Sequence, residues 1–194
     1  MRWSPVHVAR ALLREDPMNA FEKLGLELEL TVSEEEVREA FRRKAAEAHP
    51  DSGGSEQEFS GLQAAREVLL GPSARLREWL AAKGVEVDPR GQIEASLMDL
   101  FQKVAETGSG AEEAIRRNAA AQSALAKAML EVQLMARREK LKDLLAEVET
   151  EIRGRIDRFA MLEKNQNDAA KILRDLIFLE KWRGTLKGLY GRLM

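Results

Sequence analysis

The chain contains no cysteine. That absence removes disulfides, thiolate metal ligands and cysteine nucleophiles together. It fits a reducing compartment, and a cytoplasmic setting is expected. Proline is scarce, with five in 194 residues and none after Pro89. The second half is therefore free to form long, uninterrupted helices. Aromatics make up only 5%. There are two histidines, His7 and His49. Without cysteine they fall short of the three or four good ligands that zinc requires, so neither a metal nor a cofactor is expected. Neither sign of charge is in excess: 31 Lys and Arg stand against 33 Asp and Glu, a formal net charge of −2. No global basic field is present to attract nucleic acid. No apolar run approaches the length of a membrane span.

What is present points to an all-α protein. Apolar residues reach 44% and charged residues 33%, with Ala, Leu, Glu, Arg and Lys dominating. That is the composition of helical and coiled chains. The first eighteen residues hold Arg2, Arg10 and Arg14 and a short apolar run, too interrupted for a secretory signal. Glu15 and Asp16 argue against a mitochondrial presequence. The spacing of Val6, Ala9, Leu12 and Leu13 predicts a short amphipathic helix that packs on the body.

NAFEKL, residues 19–24, is a short helix stopped by Gly25. LELELTV alternates like a strand, but SEEEV follows at once, so 26–32 is read as a loop. Ser33 and Glu36 have the spacing of a capping box. The helix they open places Val37, Phe41, Ala45 and Ala48 on one face and ends before Pro50. Ser52-Gly53-Gly54-Ser55 is a loop. The next helix, about 56–70, turns Phe59, Leu62, Ala65 and Leu69 inward and breaks at Gly71-Pro72. Another covers 73–83 and stops at Gly84.

GVEVDPRG, residues 84–91, is the best boundary. Beyond it, residues 92–106 carry Ile93, Leu97, Leu100, Phe101 and Val104 on one side, and Thr107–Gly110 is expected to turn. From 112 to about 164 only Gly154 interrupts the pattern. Leu141, Leu145, Val148, Ile152, Phe159 and Leu162 form a bundle or coiled-coil seam. One helix of that length would be roughly 80 Å, so a bend or break is expected at a position the pattern does not mark. Asn165–Asp168 reads as a hairpin. The last helix, 168–192, turns Ile172, Leu176, Leu179, Leu186 and Leu189 inward.

The chemistry-bearing residues sit in EAHPDSGG, residues 47–54. His49 beside Asp51, with Ser52 as nucleophile, suggests a catalytic dyad. Neighbouring residues rarely face each other productively, however, and a working base needs a third orienting group and an oxyanion site. Nothing else in the chain supplies a nucleophile motif, and His7 is isolated. An enzyme is not expected. The bland reading, a helix-ending turn, suits Pro50 and Asp51 taken alone.

The setting of the tripeptide argues for more. NAFEKLGL, SEEEVREAFRRKAAEAHPD and EFSGLQAAREVLLGPSARLREWL occur in the order and spacing of the J-domain, the helical module of DnaJ-type co-chaperones. The resemblance covers residues 19–84. It implies an antiparallel helical hairpin zipped by Val37, Phe41, Phe59, Leu62 and Leu69, with His49, Pro50 and Asp51 at its tip. In that family the tip and the basic face of the second helix dock on an ATP-bound DnaK-type chaperone and speed ATP hydrolysis. The residue types suit the task. Pro50 fixes the loop before binding and lowers the ordering cost. Asp51 offers a carboxylate to a partner arginine. Arg38, Arg42, Arg43 and Lys44 supply positive charge for steering, or form a solvated face balanced by Glu34–Glu36 and Glu39. Glu47, Ala48, Ser52 and Arg66 depart from the family pattern, which usually has a basic or polar residue, an aromatic, a lysine and a tyrosine there.

DAAKILRDLIFLEKWRGTL, residues 168–186, is similar to the last helix of the iron–sulfur cluster co-chaperone family of HscB type. ASLMDLFQKV, residues 95–104, resembles its first bundle helix. In that family a J-domain is joined to a three-helix bundle that grips the scaffold protein on which clusters are assembled. The resemblance nominates Leu97, Met98, Phe101 and Phe178 as client-binding residues. Apolar residues at helical spacing are more often core than interface, and Met98 is the best placed of the four for exposure. The chain is longer than the family by several helical turns, with the surplus in the Ala-rich 111–135 region. The expected organisation is an N-terminal extension over 1–18, a J-domain over 19–84, a linker over 85–91 and a C-terminal helical bundle or coiled hairpin over 92–194. The expected partners are a DnaK-type ATPase chaperone and an iron–sulfur scaffold protein, with no nucleic acid and no membrane. Two alternatives use the same residues. One is a J-domain protein whose long helical region binds another client; the other is an oligomerising coiled-coil protein with a degenerate J-domain.

Overall fold

The computed structural model describes residues 18–48 and 55–194. The expected helix around Val6–Arg14 lies outside the described residues, as do His7, His49, Pro50, Asp51 and Ser52. Every regular element among the described residues is helical. The chain divides into two compact units, one ending at Glu86 and the other starting at Val87.

In the first unit α1 (Ala20–Leu24) is opened by a capping box between Asn19 and Glu22 and closed by Gly25 at a φ of 67°. A left-handed closing residue favours glycine, which has no Cβ to clash. Residues 26–32 contain turns and bends and no strand. Their alternation still shows in burial, with Leu30 fully inside and the glutamates out. Their backbone is held by α4 (Pro72–Ala82): Trp79 Nε1 donates to the Leu28 carbonyl at 3.2 Å, and Arg75 donates to the carbonyl of Val32. Burial draws the Arg75 guanidinium below its usual range, while the charge of Glu34 opposes the shift.

Ser33 and Glu36 form the expected capping box, at 3.2 and 2.8 Å, and open α2 (Glu34–Glu47). α3 (Glu56–Leu70) starts at Ser55, whose hydroxyl accepts from the Glu58 amide at 3.1 Å. α2 and α3 pack side by side as a helical hairpin, as the resemblance implies. Its core joins Val37 and Ala40 to Leu62, Ala65 and Leu69, backed by Phe21, Leu24, Leu76 and Leu80. Gly71 ends α3 and precedes Pro72 at the first position of α4, where a missing N–H costs nothing.

The second unit is a bundle of three long helices: α5 (Ala95–Ala120), α6 (Ala124–Ile156) and α8 (Ala169–Arg192). A single-turn α7 (Phe159–Leu162) lies between α6 and α8. α5 runs through Thr107–Gly110, where the sequence predicts a turn. Space explains the difference. A Cβ on Gly110 would stand 2.7 Å from the Arg137 guanidinium, and one on Gly108 would stand 3.6 Å from Leu189. These glycines let neighbouring helices approach the α5 backbone. The long 112–164 stretch breaks twice, at residues 121–123, where Ser123 caps α6, and at residues 157–158, before α7. Leu97, Leu100 and Val104 of α5 pack with Leu141, Leu144, Val148 and Ile152 of α6 and with Ile172, Leu176, Leu179 and Leu186 of α8. At roughly 1.5 Å per residue α6 is about 50 Å long.

Polar contacts fasten the entry to the bundle. Arg174 donates to the Pro89 carbonyl at 3.1 Å, and its guanidinium occupies the space a Cβ on Gly91 would need. Lys171 pairs with Glu94 at 2.5 Å, and that hydrogen bond lowers the Glu94 carboxyl. Asp175 is buried beside Arg155, at 3.3 Å, and Arg155 also pairs with Glu151. Burial raises the Asp175 carboxyl above its ordinary range, against the pull of Arg155 and with a further push from Glu94.

Candidate functional site

The first candidate surface lies on the α2–α3 hairpin. Residues 49–54 connect two well-anchored ends. On one side the Ala48 amide donates to the Lys44 carbonyl at 3.0 Å and its side chain is buried; on the other Ser55 caps α3. Behind these ends Phe41 and Phe59 meet at 6.3 Å between ring centroids. Arg66 lays its guanidinium over the Phe41 ring at 4.5 Å. It thus replaces the family's frequent tyrosine with another group that favours an aromatic face. Its Nε is buried with no hydrogen-bond partner among the described residues.

Arg38, Arg42 and Arg43 are exposed, and Lys44 is half-buried. Arg38 pairs with Glu34 at 2.6 Å, Arg42 with Glu35 at 3.0 Å, and Lys44 with Glu47 at 3.1 Å. Arg43 has no ion pair among the described residues. α2 holds four cations and five carboxylates, so its face is mixed rather than basic. Pairs this exposed are worth about 0–1 kcal/mol each, and a partner's carboxylates can replace them at little cost.

The second candidate surface lies on the bundle. Leu97 is 1% exposed and belongs to the core, so its side chain offers no contact area. The next residue, Met98, is 48% exposed, and Phe101 is 41% exposed rather than inward. The difference is rotational: Leu97, Leu100 and Val104 share the buried stripe, and Met98 and Phe101 flank it. Phe178 on α8 is half-buried. Phe101 and Phe178 both stack near Trp182, at 5.8 and 6.2 Å between centroids. Phe101 and Phe178 therefore edge an apolar patch floored by the buried Trp182, and Met98 lies one helical step from Phe101 on α5. Sequence reasoning missed Trp182, although the four-residue step from Phe178 placed both on one helical face. No group of three or more His, Asp or Glu side chains among the described residues could hold a metal ion. No helix of the described residues is long and apolar enough to cross a membrane.

Residues 19–77 match the DnaJ domain family. The chain thus carries a J-domain followed by a helical bundle. A stretch of 62 residues is 37% identical to chaperone protein dnaJ A6 of Oryza sativa subsp. japonica, which is 32% of this chain but only 14% of that protein. Among solved structures, chaperone HscB from Vibrio cholerae superposes with a TM-score of 0.55 over 91% of this chain and all of that one, at 20% identity. At that identity the likeness establishes the fold, which is HscB-like.

Proposed function

We propose that this chain is a co-chaperone of a DnaK-type ATPase, docking through His49, Pro50 and Asp51 together with Arg38, Arg42, Arg43 and Lys44 of α2. The observation that carries the reading is the DnaJ domain match over residues 19–77, with the His-Pro-Asp tripeptide between the two helices of its hairpin. Docking accelerates ATP hydrolysis by the partner; the chain performs no chemistry of its own. Pro50, whose ring fixes its own φ, reduces the entropy lost on binding. Arg43, exposed and with no competing ion pair among the described residues, provides a steering charge that no neighbouring carboxylate shares.

The bundle holds the client. Met98, Phe101 and Phe178 give it an apolar patch on rigid helices, the kind of surface from which binding hot spots are built. Leu97 supports that patch from beneath. The HscB-like fold, together with the resemblance of residues 95–104 and 168–186, supports an iron–sulfur scaffold protein as the client. The test is a pulldown on the immobilised full chain with an ATP-bound DnaK-type chaperone and a purified iron–sulfur scaffold. Wild type is expected to retain both, Asp51→Asn to lose the chaperone alone, and Met98→Ala to lose the scaffold alone. Retention of neither by wild type overturns the reading.

A further inference from the structure

The first turns of α6 are apolar on two opposite sides. Leu134 is buried, and Ala126 and Leu130 are half-buried beside it. Leu125 lies nine residues before Leu134, about two and a half turns, and so projects the other way. Leu125, Met129, Val132 and Met135 are between 57% and 72% exposed. Ala128 and Ala136 complete the stripe, and no charged residue interrupts it before Glu139. An apolar helix face is expected to be buried against a partner. Here only one side is.

We infer that this stripe is a self-association surface, against which α6 of a second copy packs in the opposite direction. The spacing supports the pairing. Leu125, Ala128, Val132 and Met135 follow the three-and-four alternation of a coiled-coil seam. Laid antiparallel, Leu125 faces Met135 and Ala128 faces Val132, so large and small residues alternate across the seam. That orientation also brings Glu139 beside the start of the other copy's α6, where a carboxylate complements the helix dipole. At the observed exposures the four large side chains present on the order of 500 Å². That is as large as the biggest apolar patch on an ordinary monomer. Covered fully in both copies, with Met129 at the edge of the seam, that area totals about 1,000 Å², the lower limit for a specific, reversible dimer.

The experiment is sedimentation equilibrium on the full chain from micromolar to near-millimolar concentration. Wild type is expected to dimerise within that range. Val132→Glu, and separately Met135→Lys, is expected to raise the dissociation constant by at least about thirtyfold, because a charge desolvates in the seam. Both positions are exposed, so helicity and melting of the monomer stay unchanged. The absence of native cysteine permits a second test. Leu125→Cys chains mixed with Met135→Cys chains are expected to cross-link to each other in preference to themselves. Four results overturn the inference: a monomeric wild type, a dimer that survives both charge variants, cross-linking of each cysteine variant to itself, or a stripe that captures a foreign amphipathic helix while the chain stays monomeric.

Discussion

Adjacent residues on α5 separate folding from recognition. Leu97 is fully inside the bundle and Met98 is half outside. Leu97→Ala deletes three buried carbons, about 2.4 kcal/mol at roughly 0.8 kcal/mol each. The cavity left among α6 and α8 side chains adds to this, giving about 3–4 kcal/mol within the usual range for buried leucines. Met98→Ala removes a side chain already half in water and is expected to cost less than about 1 kcal/mol. If Met98 anchors a client, its loss weakens binding by about 1 kcal/mol or more, about fivefold in Kd. Urea unfolding followed by circular dichroism reads the first quantity, and calorimetric titration of a scaffold protein reads the second. The expected result is a destabilised Leu97→Ala and a stable, weakly binding Met98→Ala. Equal stability losses in the two variants would refute the assignment of faces.

Two further predictions concern charge. Arg43→Ala is expected to slow association with a DnaK-type chaperone more than Arg38→Ala, since Arg38 is already paired with Glu34; stopped-flow association at low salt compares them, and equal rates would contradict the ordering. Asp175 has a folded-state carboxyl raised by burial. Between its ordinary value, about 3.9, and the raised one, the folded chain binds more protons than the unfolded chain, so its contribution to stability falls as pH rises through that window. Relative to Asp175→Asn, wild type should lose stability as pH rises above about 4 in urea titrations, and a gap that widens in the other direction would count against it.

Local signals made much of the first unit legible. The Ser33–Glu36 capping box, the Gly71-Pro72 junction and the apolar steps of α3 are written in consecutive residues and formed as expected. Arg75 and Trp79 were not legible in that way, because what they hold, the carbonyls of Val32 and Leu28, lies about fifty residues away or nearly so in sequence. In the bundle, the periodicity of α8 identified its buried face. Gly108 and Gly110 misled, since glycine marks both turns and places of close approach. The break at residues 121–123 carries neither proline nor glycine, only the Ser123 cap. The exposure of Phe101 depended on rotation relative to Leu97 and Leu100, which one stripe drawn a little too wide conceals.

Single-turnover ATP hydrolysis by a DnaK-type chaperone, with and without this chain, tests the central proposal most directly. Wild type is expected to raise the rate severalfold or more, and His49→Gln, with unchanged helicity, to lose at least nine-tenths of that rise. No stimulation by wild type, or equal stimulation by the variant, would contradict it.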